Sequence, residues 1–392
     1  DMDIDFASDR GEIFTLMWRE LNDNFFDEHM NGVDWKAVHD EYAPLAEGAQ
    51  TSDELMRLMN EMVGELNASH SGARGPSSGA PFTGRLGVRW DAAEYERTGK
   101  LRVAEIIPLG PAALTAKIAV GDVISSVDGK PLGAHTSIDE LLDYRIGKQT
   151  ALGVASARDG KPRIVTVLPV STNTEKGLLY RAWVEQSRAY VSRVSGGRLG
   201  YVHMPDMSEQ SLQRLYADLD SQNQASEGVV IDIRNNNGGF VNAYALDVLT
   251  RVPYLTMQIR GMSTAPARTL LGQRSLELPT VLVTNQHSLS DAEDFSEGYR
   301  AMKLGKIVGE PTAGWIIYTS GDVLFDGSSV RIPFVRIRGA DNTDMEMHPR
   351  PVDVLVTRPV GESYTGRDSQ LDAAVKTLLA QIGTSRKAAG AH

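Results

Sequence analysis

The residues best placed to do chemistry lie in Pro279 to Arg300, PTVLVTNQHSLSDAEDFSEGYR. Val281-Leu282-Val283 is apolar enough for a buried parallel strand. The pattern breaks at Thr284-Asn285-Gln286-His287-Ser288. After Leu289-Ser290-Asp291-Ala292 it resumes as a helical pattern rich in Glu and Asp. A serine between a buried strand and a helix N-terminus suits acyl transfer. Its hydroxyl sits at the turn, and the unpartnered first N–H groups of the helix can hold an oxyanion. The same position suits a helix cap, with Ser290 or Ser288 as the cap and Asp291 and Glu293 complementing the helix dipole. Taken alone, the stretch favours the cap. A second turn bears on the choice. In GVVIDIRNNNGGF the strand Gly228 to Arg234 runs into Gly238-Gly239, where backbone N–H groups can approach a ligand closely. Gly239 is therefore a candidate oxyanion donor beside the N–H of Asp291.

The elements that must position these residues are spread over 392 residues, enough for two or three domains. The formal net charge of −11, with no basic block, argues against a nucleic-acid binder. The absence of cysteine excludes disulfides, thiolate zinc sites and a cysteine nucleophile. No acidic or histidine residues stand at metal-ligand spacing, so no metal or other cofactor is expected. No apolar run reaches the length of a membrane span. The chain opens DMDIDFASDR, without initiator Met or signal pattern. It reads as the C-terminal part of a longer chain, or as a processed one. A cytoplasmic location is expected, with a periplasmic or secreted one as the alternative if a signal precedes residue 1.

Residues 1–75 read as a helical domain. Ile13, Phe14, Met17, Trp18, Leu21 and Phe25 recur at helix spacing. Asp34 can cap a helix from Trp35, and Thr51 with Glu54 forms a capping-box pattern. That last helix, running to about Asn67, ends by presenting Ser69-His70. A Gly/Ser/Pro linker follows. Residues 82–171 read as short strands around Gly110-Pro111-Ala112-Ala113, with a short helix from Ile138 to Leu142. An α/β section spans residues 178–382, its strand–helix alternation implying a largely parallel sheet. A hairpin is expected from Val323 to Ile337, a last strand at Val354-Leu355-Val356, and a final helix through Leu379. Residues 383–392 read as a disordered tail.

Two resemblances fit this order. Residues 82–171 resemble a PDZ module, including a carboxylate-binding loop at Leu86-Gly87-Val88. The whole chain resembles the C-terminal half of tricorn proteases, a branch of the tail-specific serine proteases. The matching contexts are GEL-N-ASH, D-R-N-NGGF, TN-H-LSDAEDFS, G-PTAG, ME-PVDV and GRDSQLDAAV. The resemblance implies a multidomain α/β architecture of a small helical domain, a PDZ β-module and a crotonase/ClpP-like catalytic domain. It implies a serine peptidase acting on oligopeptides through an acyl-enzyme, with Ser290 as nucleophile and His70 as base. Ser69 and Glu346 complete a tetrad in which a hydroxyl separates histidine from carboxylate. Gly239 and Asp291 become the oxyanion donors, and Gly238, Phe240 and Trp315 are expected to line the substrate site. It also implies a hexamer and upstream β-propellers that this chain lacks.

Many relatives pair the serine with a lysine after a T-x-G turn. Here that turn reads Thr312-Ala313-Gly314-Trp315, so the base must come from elsewhere. His287 and His348 are rivals of His70. The resemblance also implies that an aspartate in the segment after the glycine turn favours a basic side chain before the scissile bond. Here the corresponding Pro253 to Ile259 carries no acidic residue, so that side chain is not expected to be basic and an apolar one is expected. Two other functions keep the fold: a non-catalytic PDZ peptide-binding scaffold, and a crotonase-like acyl-CoA enzyme.

Overall fold

The computed structural model describes residues 6–76, 79, 82–133, 136–222, 226–251, 254–266 and 276–389. Pro253 and residues 390–392 of the expected tail lie outside the described residues. The chain divides into two compact units, residues 1–77 with 188–392, and residues 78–187. The helical section, read from sequence as a domain of its own, thus shares a unit with the α/β section.

The heart of the first unit is a five-stranded parallel sheet. Its strands are Leu199–His203, Gly228–Asp232, Thr280–Thr284, Gly305–Gly309 and Val354–Leu355, each beside the one before it in sequence. The first three are buried along their whole length, as strands covered on both faces must be. Val229, Ile231, Leu282 and Ile307 share one core with Leu212, Leu215, Ala245, Leu246, Ala292 and Phe295 from the helices Glu209–Gln222, Asn242–Thr250 and Asp291–Ala301. The final helix, Ser369–Ala389, packs on the central strands with Leu371, Val375 and Leu378 buried. It runs ten residues past the expected end at Leu379, through the start of the expected disordered tail.

The helical section forms as its caps require. Asp34 accepts the N–H of Ala37 for the helix Trp35–Gly48, and Thr51 accepts that of Glu54 for Ser52–Gly64. The latter helix stops at Gly64, earlier than the sequence suggested. Asn67 and His70 then take left-handed backbone angles and turn the chain. The turn delivers Gly72–Arg74 as an edge strand pairing antiparallel with Ser329–Arg336. That strand forms a hairpin with Ile317–Val323, which begins six residues before the expected Val323. Asn60 acts as a second strand partner, exchanging two hydrogen bonds with the backbone of Ala73. The core of the helical section includes Leu324, Val330 and Ile332 of the hairpin.

The second unit is an antiparallel sheet of Val88–Trp90, Leu101–Ile106, Val123–Val127, Thr150–Ala155 and Pro162–Val167 in that order, with Lys130–Pro131 paired to the third strand. The helix Pro111–Thr115 begins at the GPAA motif, its proline at the first helical position where no N–H is needed. The short helix Ile138–Leu142 forms where expected.

Candidate active site

Gly228–Asp232 and Thr280–Thr284 are neighbours in one parallel sheet, so the turns leaving their C-terminal ends lie side by side. In open α/β sheets this edge is where ligands bind. The two turns are fastened directly, Leu289 N–H donating to the carbonyl of Asn236 at 3.1 Å. Asn236 is fully buried, its side chain donating to Met204 O and accepting from Gly238 N–H.

Ser290 stands at the N-cap of its helix, yet its side chain makes no capping hydrogen bond. Its backbone is at φ 58°, ψ −131°, a region that L-residues rarely occupy. Three bonds hold it there: Leu289 N–H to Asn236 O, Ser290 N–H to Trp315 O at 2.8 Å, and Glu293 N–H to Ser290 O at 2.7 Å. The cap reading therefore fails for Ser290, whose hydroxyl makes no hydrogen bond among the described residues. Ser288 is instead the serine that braces the turn. Its hydroxyl donates to Ile233 O at 2.8 Å and accepts from Asn285 N–H.

Both glycines of the first turn are required by close approach. A Cβ on Gly238 would lie 2.4 Å from Ser290 Cβ and 2.9 Å from its Oγ. A Cβ on Gly239 would lie 2.1 Å from Met207 O. Among the described residues, the N–H groups of Gly239 and Asp291 donate to no acceptor. These are the two groups expected from sequence as oxyanion donors.

The helical section contributes a relay. Glu346, 7% exposed, accepts the N–H of Ser69 at 2.7 Å, its hydroxyl at 3.1 Å, and the N–H of Ile316 at 2.9 Å. The Ser69 hydroxyl is also 2.7 Å from His70 Nδ1. A carboxylate only accepts, so the Ser69 proton goes to Glu346 and Ser69 Oγ accepts from Nδ1–H. His70 is thereby set with Nε2 bare. Burial, and then the charge of Arg331, lower its pKa to about 4, so the ring is neutral. Glu346 reaches Ile316 N–H while the neighbouring Trp315 carbonyl holds Ser290 N–H, which ties the relay to the serine turn through two adjacent residues. His70 and Ser290 themselves share no hydrogen bond.

The rival histidines are placed otherwise. His287 is exposed, and among the described residues only its backbone N–H bonds, to Asn285. His348 Nδ1 pairs with the carbonyl of Glu346 at 2.7 Å. Phe240 and Trp315 are 77% and 51% exposed, large apolar side chains open to solvent beside the two turns. Gly238 offers no free donor, since its N–H is held by Asn236.

Several residues of the site carry no sequence signal of their own. Buried Glu293 accepts from Thr312 Oγ1, Gly314 N–H and Trp315 N–H, fixing the turn that holds Ser290. The Asp291 carboxylate reaches across to Asn242, accepting its N–H at 3.0 Å and bonding its side-chain amide. Tyr318 donates to Asp294 at 3.0 Å. Burial, and then the charges of Asp291 and Glu293, raise the Asp294 pKa to about 7. Among the described residues no group of carboxylates and histidines could hold a metal ion, and no helix is long and apolar enough to cross a membrane.

A strained serine at a strand–helix turn, two N–H groups without an acceptor among the described residues and a neutral histidine in a carboxylate relay have the chemistry that acyl transfer needs. Residues 198–355 match Peptidase family S41. Residues 6–64 match the Tricorn protease C1 domain, so the chain is similar to the C-terminal region of the tricorn proteases. It is 32% identical to Tricorn protease homolog 1 of Streptomyces coelicolor, over 96% of this chain and 36% of that one. It is 29% identical to the Tricorn protease homolog of Saccharolobus solfataricus, over 93% of this chain and 34% of that one. The crystal structure of the tricorn protease shares the fold at a TM-score of 0.83 and 24% identity, covering 96% of this chain and 37% of that one. The chain thus spans about a third of the length of these relatives.

Proposed function

We propose that this chain hydrolyses peptide bonds in oligopeptides through an acyl-enzyme on Ser290. The observation that carries the reading is the relay Glu346–Ser69–His70, assembled by hydrogen bonds between residues 277 apart in sequence. His70 Nε2 takes the Ser290 proton as Oγ attacks the carbonyl carbon. The N–H groups of Gly239 and Asp291 receive the developing oxyanion; one such donor is worth about 10²–10³ in rate. The imidazolium gives its proton to the leaving amine, whose bond to carbon breaks. Water then attacks the acyl-enzyme with His70 again as base, releasing the acid and restoring Ser290. Glu346 stabilises the imidazolium through Ser69, which a histidine with so low a pKa requires. The contact between His70 and Ser290 forms in the substrate complex.

The substrate sits in extended form along the two turns, with Phe240 and Trp315 against its side chains. Exposed Tyr254, Leu255 and Ile259 support an apolar preference before the scissile bond. By likeness to tricorn proteases, the chain works as a homo-oligomer on peptides delivered by upstream domains. The test is hydrolysis of Leu- and Arg-ended fluorogenic peptides by the wild type, Ser290→Ala and His70→Ala. Cleavage favouring the Leu peptide, with both variants down at least about a thousandfold, is expected. Cleavage that persists in Ser290→Ala refutes the assignment and leaves the scaffold reading.

A further inference from the structure

The oxyanion donors come from two separate turns, and their spacing has to be set by something. The Asn236–Leu289 bond fastens the turns on one side. On the other side stands Asp291. The helix Asn242–Thr250 starts three residues after Gly239, and its N-cap is Val241, which has no side chain able to cap. Asp291 supplies the missing acceptor from the neighbouring helix, taking Asn242 N–H at 3.0 Å and the Asn242 amide besides. Its own N–H is the second donor. Tyr318 adds a longer bond at 3.4 Å to the same carboxylate.

We infer that the Asp291 carboxylate is a positioning group, a trans-helix cap that sets the distance between the Gly239 and Asp291 N–H groups. This rests on the reading of Ser290 as nucleophile. An interaction that shapes only the oxyanion pair acts on the tetrahedral state and leaves substrate binding alone. Asp291→Ala should therefore lower kcat about a hundredfold with KM within about threefold. Affinity for a peptide boronate, whose tetrahedral adduct occupies the same donors, should fall in step with kcat. Asp291→Asn keeps an acceptor for Asn242 N–H and should recover to within about tenfold of wild type. Amide hydrogen exchange at Asn242, read without reference to activity, should quicken at least about tenfold in Asp291→Ala. Unchanged exchange protection at Asn242 overturns the clamp, as does an Asp291→Ala variant with wild-type kcat. Loss of boronate affinity that follows KM instead of kcat also overturns it. The nucleophile reading is checked separately, by Ser290→Ala in the same assay.

A second observation, in the unit of residues 78–187, stands independently. Val88–Trp90 is an edge strand, and a cleft of about 380 Å³ lies between it and the helix Ile138–Leu142. A free strand edge beside a cleft is a place where an extended peptide adds. At its end the Gly87 N–H is already taken: Glu175, in the first turn of the helix Thr172–Val194, accepts it at 3.1 Å. Arg85, a cation lining the cleft, is held by Asp139 and Thr172. We propose that Glu175 is an internal ligand occupying the position of a peptide's terminal carboxylate, which must displace it to bind. The test uses full-length protein carrying Ser290→Ala, so that nothing is cleaved. Fluorescence polarisation is read with a labelled hexapeptide pool bearing free C-termini and with the same pool amidated. Glu175→Ala and Glu175→Gln should each bind the free-carboxylate pool at least about tenfold more tightly than the parent, the amidated pool binding alike to all three. Equal binding of the free-carboxylate pool by parent and variants, or binding by none, overturns the proposal.

Discussion

Ser290 and His70 are both held away from their resting preferences, and the second departure has a direct kinetic consequence. His70 is kept neutral by burial and by the charge of Arg331, with a pKa of about 4 against an ordinary 6.5. Protonation silences a general base, so the acid limb of kcat/KM, which reports the free enzyme, should have its midpoint near pH 4. A pH–rate profile of peptide hydrolysis checks this; a midpoint of about 6.5 would place the base outside the environment described. Asp294 departs the other way. Its folded pKa of about 7 exceeds the ordinary 3.8, so the folded chain binds a proton that the unfolded chain releases. That stabilisation is full below the ordinary value and is lost as pH rises through 7. Asp294→Asn keeps an acceptor for Tyr318 and removes the charge. It should be more stable than wild type at pH 8, by up to about 4 kcal/mol, and little different at pH 4, as read by urea denaturation at each pH.

The elements owe their placement to knots of polar residues at their ends. Arg234, just past the strand Gly228–Asp232, is 1% exposed and bonds Asp232, Asp368 and Gln370. Tyr201 donates to the same Asp232. The knot joins the edge strand Leu199–His203 and its neighbour Gly228–Asp232 to the start of the final helix and anchors the approach to the glycine turn. Arg234→Met leaves buried Asp232 without its cation and Asp368 with Arg358 alone, at 3.7 Å, and should cost about 3–5 kcal/mol, measured by chemical denaturation. A loss under about 1 kcal/mol would show that the knot relaxes on its own. The runs DIRNNNGG and GRDSQLDAAV are readable as motifs, but their mutual contact is not, because the partners stand 134 residues apart in sequence. Glu293 shows the same limit. In sequence it is one more acid in a first helical turn, while in the fold it is the buried acceptor that shapes the turn at Trp315. The strand Thr150–Ala155 has little sequence signal, because its small residues, Ala151, Gly153 and Ala155, weaken the alternating pattern that marks a strand.

At the scale of the molecule, the proposed site is completed only when the helical section docks on the hairpin. Ser69, His70, Ser290 and Glu346 are each legible in their local contexts. The device that unites them is tertiary: Gly72–Arg74 adding to Ser329–Arg336, and Glu346 bonding both Ser69 and Ile316. The shared core makes the helical section more than a carrier of two residues. Removing residues 1–75 uncovers Leu324, Val330 and Ile332, so the remaining chain should bind a hydrophobic dye and aggregate. A soluble, monomeric and fully active truncation would contradict that packing. The central claim, a Ser290 nucleophile activated by a histidine brought from the helical section, is tested most directly by a fluorophosphonate probe. The modified residue is mapped by peptide mass, and the rate is measured in wild type and His70→Ala. The account predicts a single adduct on Ser290 in the wild type and a rate lower by at least about a thousandfold in His70→Ala. An adduct on another residue, or undiminished labelling without His70, would contradict it.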